Sequence, residues 1–284
     1  MYVLLIIIAI ISIVFIVYFY HNHLILPLNS TCIITGAPKT GKSLLSIYQV
    51  YKWYKKALFK YYFKNIWAFI LGKDKKSEMP YIYSNIPLKT PYGFIPITKR
   101  HLLRLDKIND GSIVYLGEFS LVANSRLGQQ KGFNKISNIN YDEINEELLL
   151  FTKLSGHEWN GKLIIDSQCI SDCHYSVKRV LSEYYYIHHN IKLPFFRVLF
   201  VKECRYSEDN SSIDTNENSI QDNLKWILVP TKKYFNMYDF RCYSIWTDNK
   251  RINNSDDLVF FKNKKRNLKA RNIVSFSDFK TLKK

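Results

Sequence analysis

The 284-residue chain carries 41 Lys and Arg against 24 Asp and Glu, a formal charge of +17, and 47 % of its residues are hydrophobic. The apolar content excludes a wholly disordered chain, and the length suits one α/β domain with appendages. The charge points to polyanionic company, nucleic acid or an anionic lipid face, although the Lys-, Asn-, Ile- and Tyr-rich composition of an AT-rich genome gives the same excess.

In chain order, the first feature is Val3 to Tyr20, VLLIIIAIISIVFIVYFY, in which Ser12 is the single conventional polar residue and no charge occurs. Such a run meets the ~18–20 apolar residues a helix needs to cross the hydrocarbon layer. Its start, Met1-Tyr2, lacks the basic residues of a cleaved signal, and its aromatic end lacks the small residues of a cleavage site. An uncleaved single-pass anchor over residues 1–22 is therefore expected. Lys39, Lys42, Lys52, Lys55, Lys56, Lys60 and Lys64 all follow it, so the body is expected on the cytoplasmic side.

Gly36-Ala37-Pro38-Lys39-Thr40-Gly41-Lys42-Ser43 satisfies the phosphate-cradling pattern G-x-x-x-x-G-K-[ST] in full. The β-branched run Thr31 to Thr35 before it predicts a buried strand, and Leu44, Leu45, Ile47 and Val50 after it predict a helix. The loop's N–H groups, Gly36 through Leu44, would surround the phosphates of ATP at the positive end of that helix. Lys42 would reach the β- and γ-phosphates, and the Ser43 hydroxyl would complete a Mg²⁺ shell. Tyr48 to Lys76 mixes lysines with Tyr, Trp and Phe and predicts an extension of the same helix, suited to anionic lipid, to single-stranded DNA or to plain core burial.

Ser112 to Glu118, SIVYLGE, predicts an apolar strand ending in a carboxylate. A P-loop ATPase places Asp then Glu there, the first on the metal shell and the second polarising water. Here Gly117 stands in the Asp position and Glu118 is the candidate for the metal and the catalytic role: either Glu118 covers one with water covering the other, or hydrolysis is slow. Asp142 to Leu154 predicts a helix. Leu163 to Ile165 predicts a third strand, with Gln168 at its tip beside the γ-phosphate and Asp166 as an alternative metal-shell acid. The pattern of strands and helices indicates a mostly parallel, doubly wound sheet. Arg126 and Arg179 are candidates for reaching across a subunit boundary, Arg179 as a catalytic finger. Cys32, Cys169, Cys173, Cys204 and Cys242 form no disulfide framework, and Cys169, Cys173 and His174 lack a second ligand pair for zinc.

With these pieces in order, the chain resembles the Zot-like (zonula occludens toxin-like) family, inner-membrane P-loop ATPases of filamentous phages. The resemblance rests on TGAPKTGKS, on IVYLGE, and on Ser155 to Tyr186, where His157, Trp159, Leu163 to Ile165, Ser167-Gln168 and Lys178-Arg179 precede an aromatic strand. Tyr234 to Tyr243 is similar to the family's closing aromatic strand. The chain departs from the pattern at Gly117, in its single His157, and in a membrane helix that precedes the ATPase domain. The resemblance implies an α/β P-loop NTPase; to it the apolar run adds one expected N-terminal transmembrane helix, and the later β-like runs a β-rich C-terminal extension. The boundaries expected are an NTPase core over 28–200, a polar loop over 201–223, a closing β segment over 224–250 and a basic tail over 251–284. It implies ATP and Mg²⁺ as cofactors, and membrane, single-stranded DNA, coat or assembly proteins and further copies of the chain as partners. The implied work is phage assembly and DNA export at the host inner membrane. Two alternatives stand beside it: a nucleotide-binding membrane scaffold with little or no turnover, and a cellular membrane-bound P-loop NTPase.

Overall fold

The β-branched run after Ser30 becomes strand β1 (Thr31–Gly36), buried along its whole length. In the computed structural model the described residues are 30–72, 77–97, 108–119, 160–170, 183–204 and 224–238, together with 8, 10–12, 26, 146, 150, 173, 260–261 and 273–274. From β1 the chain turns through the glycine loop into α1 (Lys42–Ile70), which at 29 residues is the long helix the sequence predicts. It then supplies β2 (Ile82–Ser84), β3 (Ile95–Pro96), β4 (Ile113–Leu116), β5 (Lys162–Ser167), β6 (Glu183–Lys192), β7 (Phe196–Cys204) and β8 (Leu224–Pro230). A five-residue helix, α2 (Thr231–Phe235), follows β8, and β9 (Phe260–Phe261) pairs in parallel with β10 (Ile273–Val274).

Strands β1 to β8 form one sheet in the order β3-β2-β4-β5-β1-β6-β7-β8. The run from β3 to β6 is parallel, and β7 and β8 add an antiparallel margin. Parallel strands need cover on both faces, and these have it. Ile34, Tyr115, Ile164 and Tyr185 pack under Leu44, Leu45, Tyr48 and Tyr51 of α1 in the main core. Ile33, Val114, Leu163 and Ile165, which alternate with them, are buried as well. At about 1.5–3 kcal/mol for each fully buried aliphatic or aromatic side chain, this double layer holds the sheet together. Because the strands run in parallel, their C-terminal ends gather on one side, and the glycine loop opens there.

Several expectations meet the structure at this level. β1, β4 and β5 lie where the apolar runs place them. Of YFNMYDFRCY, the described residues 234–238 form no strand: Tyr234 lies in α2 and Tyr238 makes a lone bridge to Leu88, while 239–243 lie outside the described residues. Pro230 caps that short helix, and buried Tyr234 meets Tyr48 edge-on at 4.9 Å, so tertiary packing overrides the aromatic β-preference. The proposed anchor falls almost wholly outside the described residues; Ile8, Ile10, Ile11 and Ser12 are helical and exposed. Among the described residues no helix is long and apolar enough to cross a membrane. Of the helix expected over 142–154, Glu146 and Leu150 are described and helical.

Candidate functional site

The glycine loop is pinned from below and left open above. Gly41 sits at φ 104°, a left-handed conformation that favours glycine, and a side chain there would meet Leu199 Cδ2 at 3.2 Å and Arg197 Nη1 at 3.5 Å. At Gly36 a Cβ would approach the Ile187 carbonyl to 3.1 Å, so β6 reserves that position for hydrogen. Thr40 closes the turn with its hydroxyl on the Ala37 carbonyl at 2.7 Å, and the Asn190 amide of β6 donates to the Thr40 carbonyl at 2.9 Å. Ala37, Pro38 and Lys39 remain exposed. No side chain caps the start of α1 and no acid lies in its first turn. The first N–H groups of the helix therefore have only an incoming anion, or water, to satisfy them.

Two acids converge on this loop from different strands. Asp166, in β5 beside β1, is fully buried. One of its carboxylate oxygens accepts the Tyr115 hydroxyl at 2.8 Å and the other accepts the Glu118 N–H at 2.6 Å. Ser43 also hydrogen-bonds this carboxylate, and the Lys42 ammonium lies close enough to attract it. Glu118, one strand further out, is half-buried at φ 49°, a conformation costing a non-glycine residue on the order of 1 kcal/mol. The turn holds it there: Asn85 donates to the Gly117 carbonyl and accepts the Gly117 N–H, both at 2.8 Å.

Burial sets the electrostatics. It pushes the Asp166 carboxyl above the ordinary range, against the downward pull of the Glu118 N–H, the Tyr115 hydroxyl, Lys42 and Ser43. Burial also raises Glu118, helped by the Asp166 charge and opposed by Lys42. Burial thus makes both carboxylates costly to ionise, and a cation placed between them would offset that cost. Tyr238, whose hydroxyl burial pushes up to about 12, feels both Asp166 and Arg197. The donor set at hand (a serine hydroxyl, a buried carboxylate and a half-buried one, all oxygen) suits Mg²⁺.

Of the sequence-predicted residues, Gly36 to Leu44, Glu118 and the alternative acid Asp166 come together. Gly117 cannot carry the expected Asp without displacement: its Cβ would run into Ile86 Cδ1 and reach within 3.1 Å of the Tyr115 hydroxyl. The carboxylate beside Ser43 comes from Asp166 of the neighbouring strand. Gln168 is exposed beyond the end of β5, two residues past Asp166. Arg179, Arg126 and His157 lie outside the described residues. Sequence reasoning missed Arg197 and Asn190, which β6 and β7 bring to the loop from more than a hundred residues away. The Arg197 guanidinium lies 4.9 Å over the Phe235 ring and pairs with no carboxylate among the described residues. No spacing signal marks such a residue; only the antiparallel register does.

No family model matches the chain, and no curated protein matches it. Among solved structures it is similar to the N-terminal domain of zonular occludens toxin from Neisseria meningitidis, at 16 % identity and a TM-score of 0.38 over 75 % of this chain and 100 % of that one. It is similar to a KaiC-like protein from Pyrococcus horikoshii, at 10 % identity and a TM-score of 0.33 over 70 % and 84 %. It is also similar to the genome packaging NTPase of Sulfolobus turreted icosahedral virus 2, solved with ATP-gammaS, at 10 % identity and a TM-score of 0.31 over 63 % and 98 %. Likenesses this loose carry no weight for function, and the site's chemistry stands on its own geometry. The loop, the strand before it and the helix after it have the form of a P-loop nucleotide-binding fold.

Proposed function

We propose that the chain is a membrane-anchored, Mg²⁺-dependent ATPase that drives filamentous-phage assembly and the export of single-stranded DNA. The observation that carries the enzymatic half is the Asp166 carboxylate, hydrogen-bonded to Ser43 and close to Lys42, with Glu118 held beside it. The loop's N–H groups and Lys42 bind and orient the triphosphate. Ser43 and Asp166 would hold Mg²⁺, and the ion would supply positive charge against the phosphates. Glu118, with its raised proton affinity, is suited to take a proton from an attacking water. Arg197 supplies a second cation from within the same chain, where the notion of a finger from a neighbouring copy rests on Arg179.

The phage half of the reading is supported by the sequence motifs, the apolar run before the domain and the charge of +17. The test is ATP hydrolysis by the full chain in bilayers, with and without single-stranded DNA. Stimulation by DNA is the expected result. Turnover that ignores DNA would remove the export role, and nucleotide binding without turnover would favour the scaffold reading that Gly117 suggests.

A further inference from the structure

At the end of the sheet away from the glycine loop, α1 and the N-terminal ends of β4 and β5 enclose a groove of about 480 Å³. Trp53 lines it, with the Lys56 ammonium 4.8 Å and the Lys162 ammonium 4.7 Å from its ring centroid. The indole N–H is buried and finds no acceptor among the described residues. Lys60 and Lys64 continue the row from Lys56 at one-turn spacing, where like charges repel one another. Glu78 and Asp110 line the groove with the four lysines, Glu183 lies near enough to Lys162 to act on it, and Asp110 already accepts the Asn160 amide at 3.1 Å. Burial, with Lys60 and Lys56 adding to it and Glu183 opposing, lowers Lys162 to about 8. Lys56, Lys60 and Lys64 repel one another along the groove, and an anion held there would offset that repulsion.

Beyond Leu58, the last buried residue of α1, the helix exposes apolar side chains instead of covering them. Phe59, Phe63, Ile66, Trp67, Phe69 and Ile70 are each more than half exposed, Phe69 at 86 %. Phe59, Phe63 and Trp67 stack at 6.3 and 6.4 Å in a row that runs beside Lys56, Lys60 and Lys64. A lysine row beside an exposed face of aromatic and aliphatic side chains is the pattern of a helix lying in the membrane interface. Stacking on bases would use the rings but has no use for Ile66 and Ile70. The chain also arrives at α1 from the apolar run. Leu26, six residues after Tyr20, is buried with its N–H on the Gln49 side chain at 3.3 Å. Six extended residues reach only about 20 Å.

We propose that the distal half of α1 lies at the headgroup–acyl boundary of the bilayer and that the lysine groove takes the phosphate of an anionic phospholipid. This rests on the anchored reading of residues 3–20 and is independent of the nucleotide site. The test places the full chain in nanodiscs of phosphatidylcholine with or without phosphatidylglycerol, using acyl-brominated forms of either lipid as quenchers. Brominated phosphatidylglycerol should quench tryptophan emission more than brominated phosphatidylcholine at equal density, and Trp67→Phe should remove most of that excess. Lys60→Glu with Lys64→Glu should raise the phosphatidylglycerol fraction needed by about ten-fold. Equal quenching by the two lipids, in wild type and variant alike, would overturn the proposal. Loss of the excess on adding a single-stranded oligonucleotide would overturn it in favour of a nucleic-acid groove. Failure of the anchored reading would show separately, as a chain that enters neither kind of disc.

Discussion

The two ends of the parallel sheet treat charge in opposite ways. At the loop end the ionisable groups are few, buried and bonded to one another: Asp166 holds Tyr115, Ser43 and the Glu118 N–H, with Lys42 alongside. At the other end Lys56, Lys60, Lys64 and Lys162 share one groove, and the helix that carries three of them runs out into exposed aromatics. The first arrangement fixes individual atoms against a small ligand. The second makes a field and an apolar face, which suits an extended partner whose exact position does not matter. Roughly 27 Å of α1, at 1.5 Å per residue from Lys42 to Lys60, joins them.

Substitutions at the two ends should therefore differ in kind. The largest effect belongs to Glu118→Gln, expected to lower turnover by about 10²- to 10⁴-fold while ATP affinity holds, as measured by steady-state hydrolysis beside equilibrium binding. An equal loss of binding would make Glu118 a ligand-holding group instead. Lys42→Ala should weaken ATP binding by about 2 kcal/mol, roughly thirty-fold, in calorimetry. Gly117→Asp, which writes the expected acid back into β4's tip, should cost about 1–3 kcal/mol of stability through the contact with Ile86 and bring no gain in turnover. A more active Gly117→Asp enzyme would mean that Asp166 does not cover the role.

The smallest effect is on the empty protein's pH dependence. Burial raises Asp166 and Glu118 above their ordinary values, so their contribution to stability is present below the unfolded pKa and lost as pH rises through the folded one. At neutral pH the burial of the Asp166 carboxyl is therefore a cost. Asp166→Asn should leave the melting temperature of the nucleotide-free protein unchanged or higher at pH 7, and that advantage should vanish on acidification. A large loss of stability at neutral pH would show that the carboxylate's hydrogen bonds outweigh its burial.

Much of the loop end was legible in one dimension, because a phosphate loop, the strand before it and the helix after it are contiguous. Gly36 to Leu44, β1, β4, β5 and the length of α1 all follow from local spacing. The metal-side acid was only half legible. Linear pattern looks for it beside Glu118, and Gly117 reads as a loss. The register of β4 against β5, pairing Leu116 with Ile165, brings Asp166 beside the same turn. Arg197 and Asn190 were invisible for the same reason, since an antiparallel return of β7 on β6 sets their place. β2 and β3, three and two residues long, carry too little periodicity to read. At the other end the lysine and aromatic composition was plain, but which rows faced the core depended on where α1 leaves the sheet, at Leu58.

The most direct measurement is the Mg²⁺ dependence of ATP affinity for the wild-type chain, Asp166→Asn and Glu118→Gln. The expected result is that Asp166→Asn loses most of the gain that Mg²⁺ gives, while Glu118→Gln keeps it. An unchanged Mg²⁺ gain in Asp166→Asn would contradict the account of a metal-side carboxylate supplied from β5.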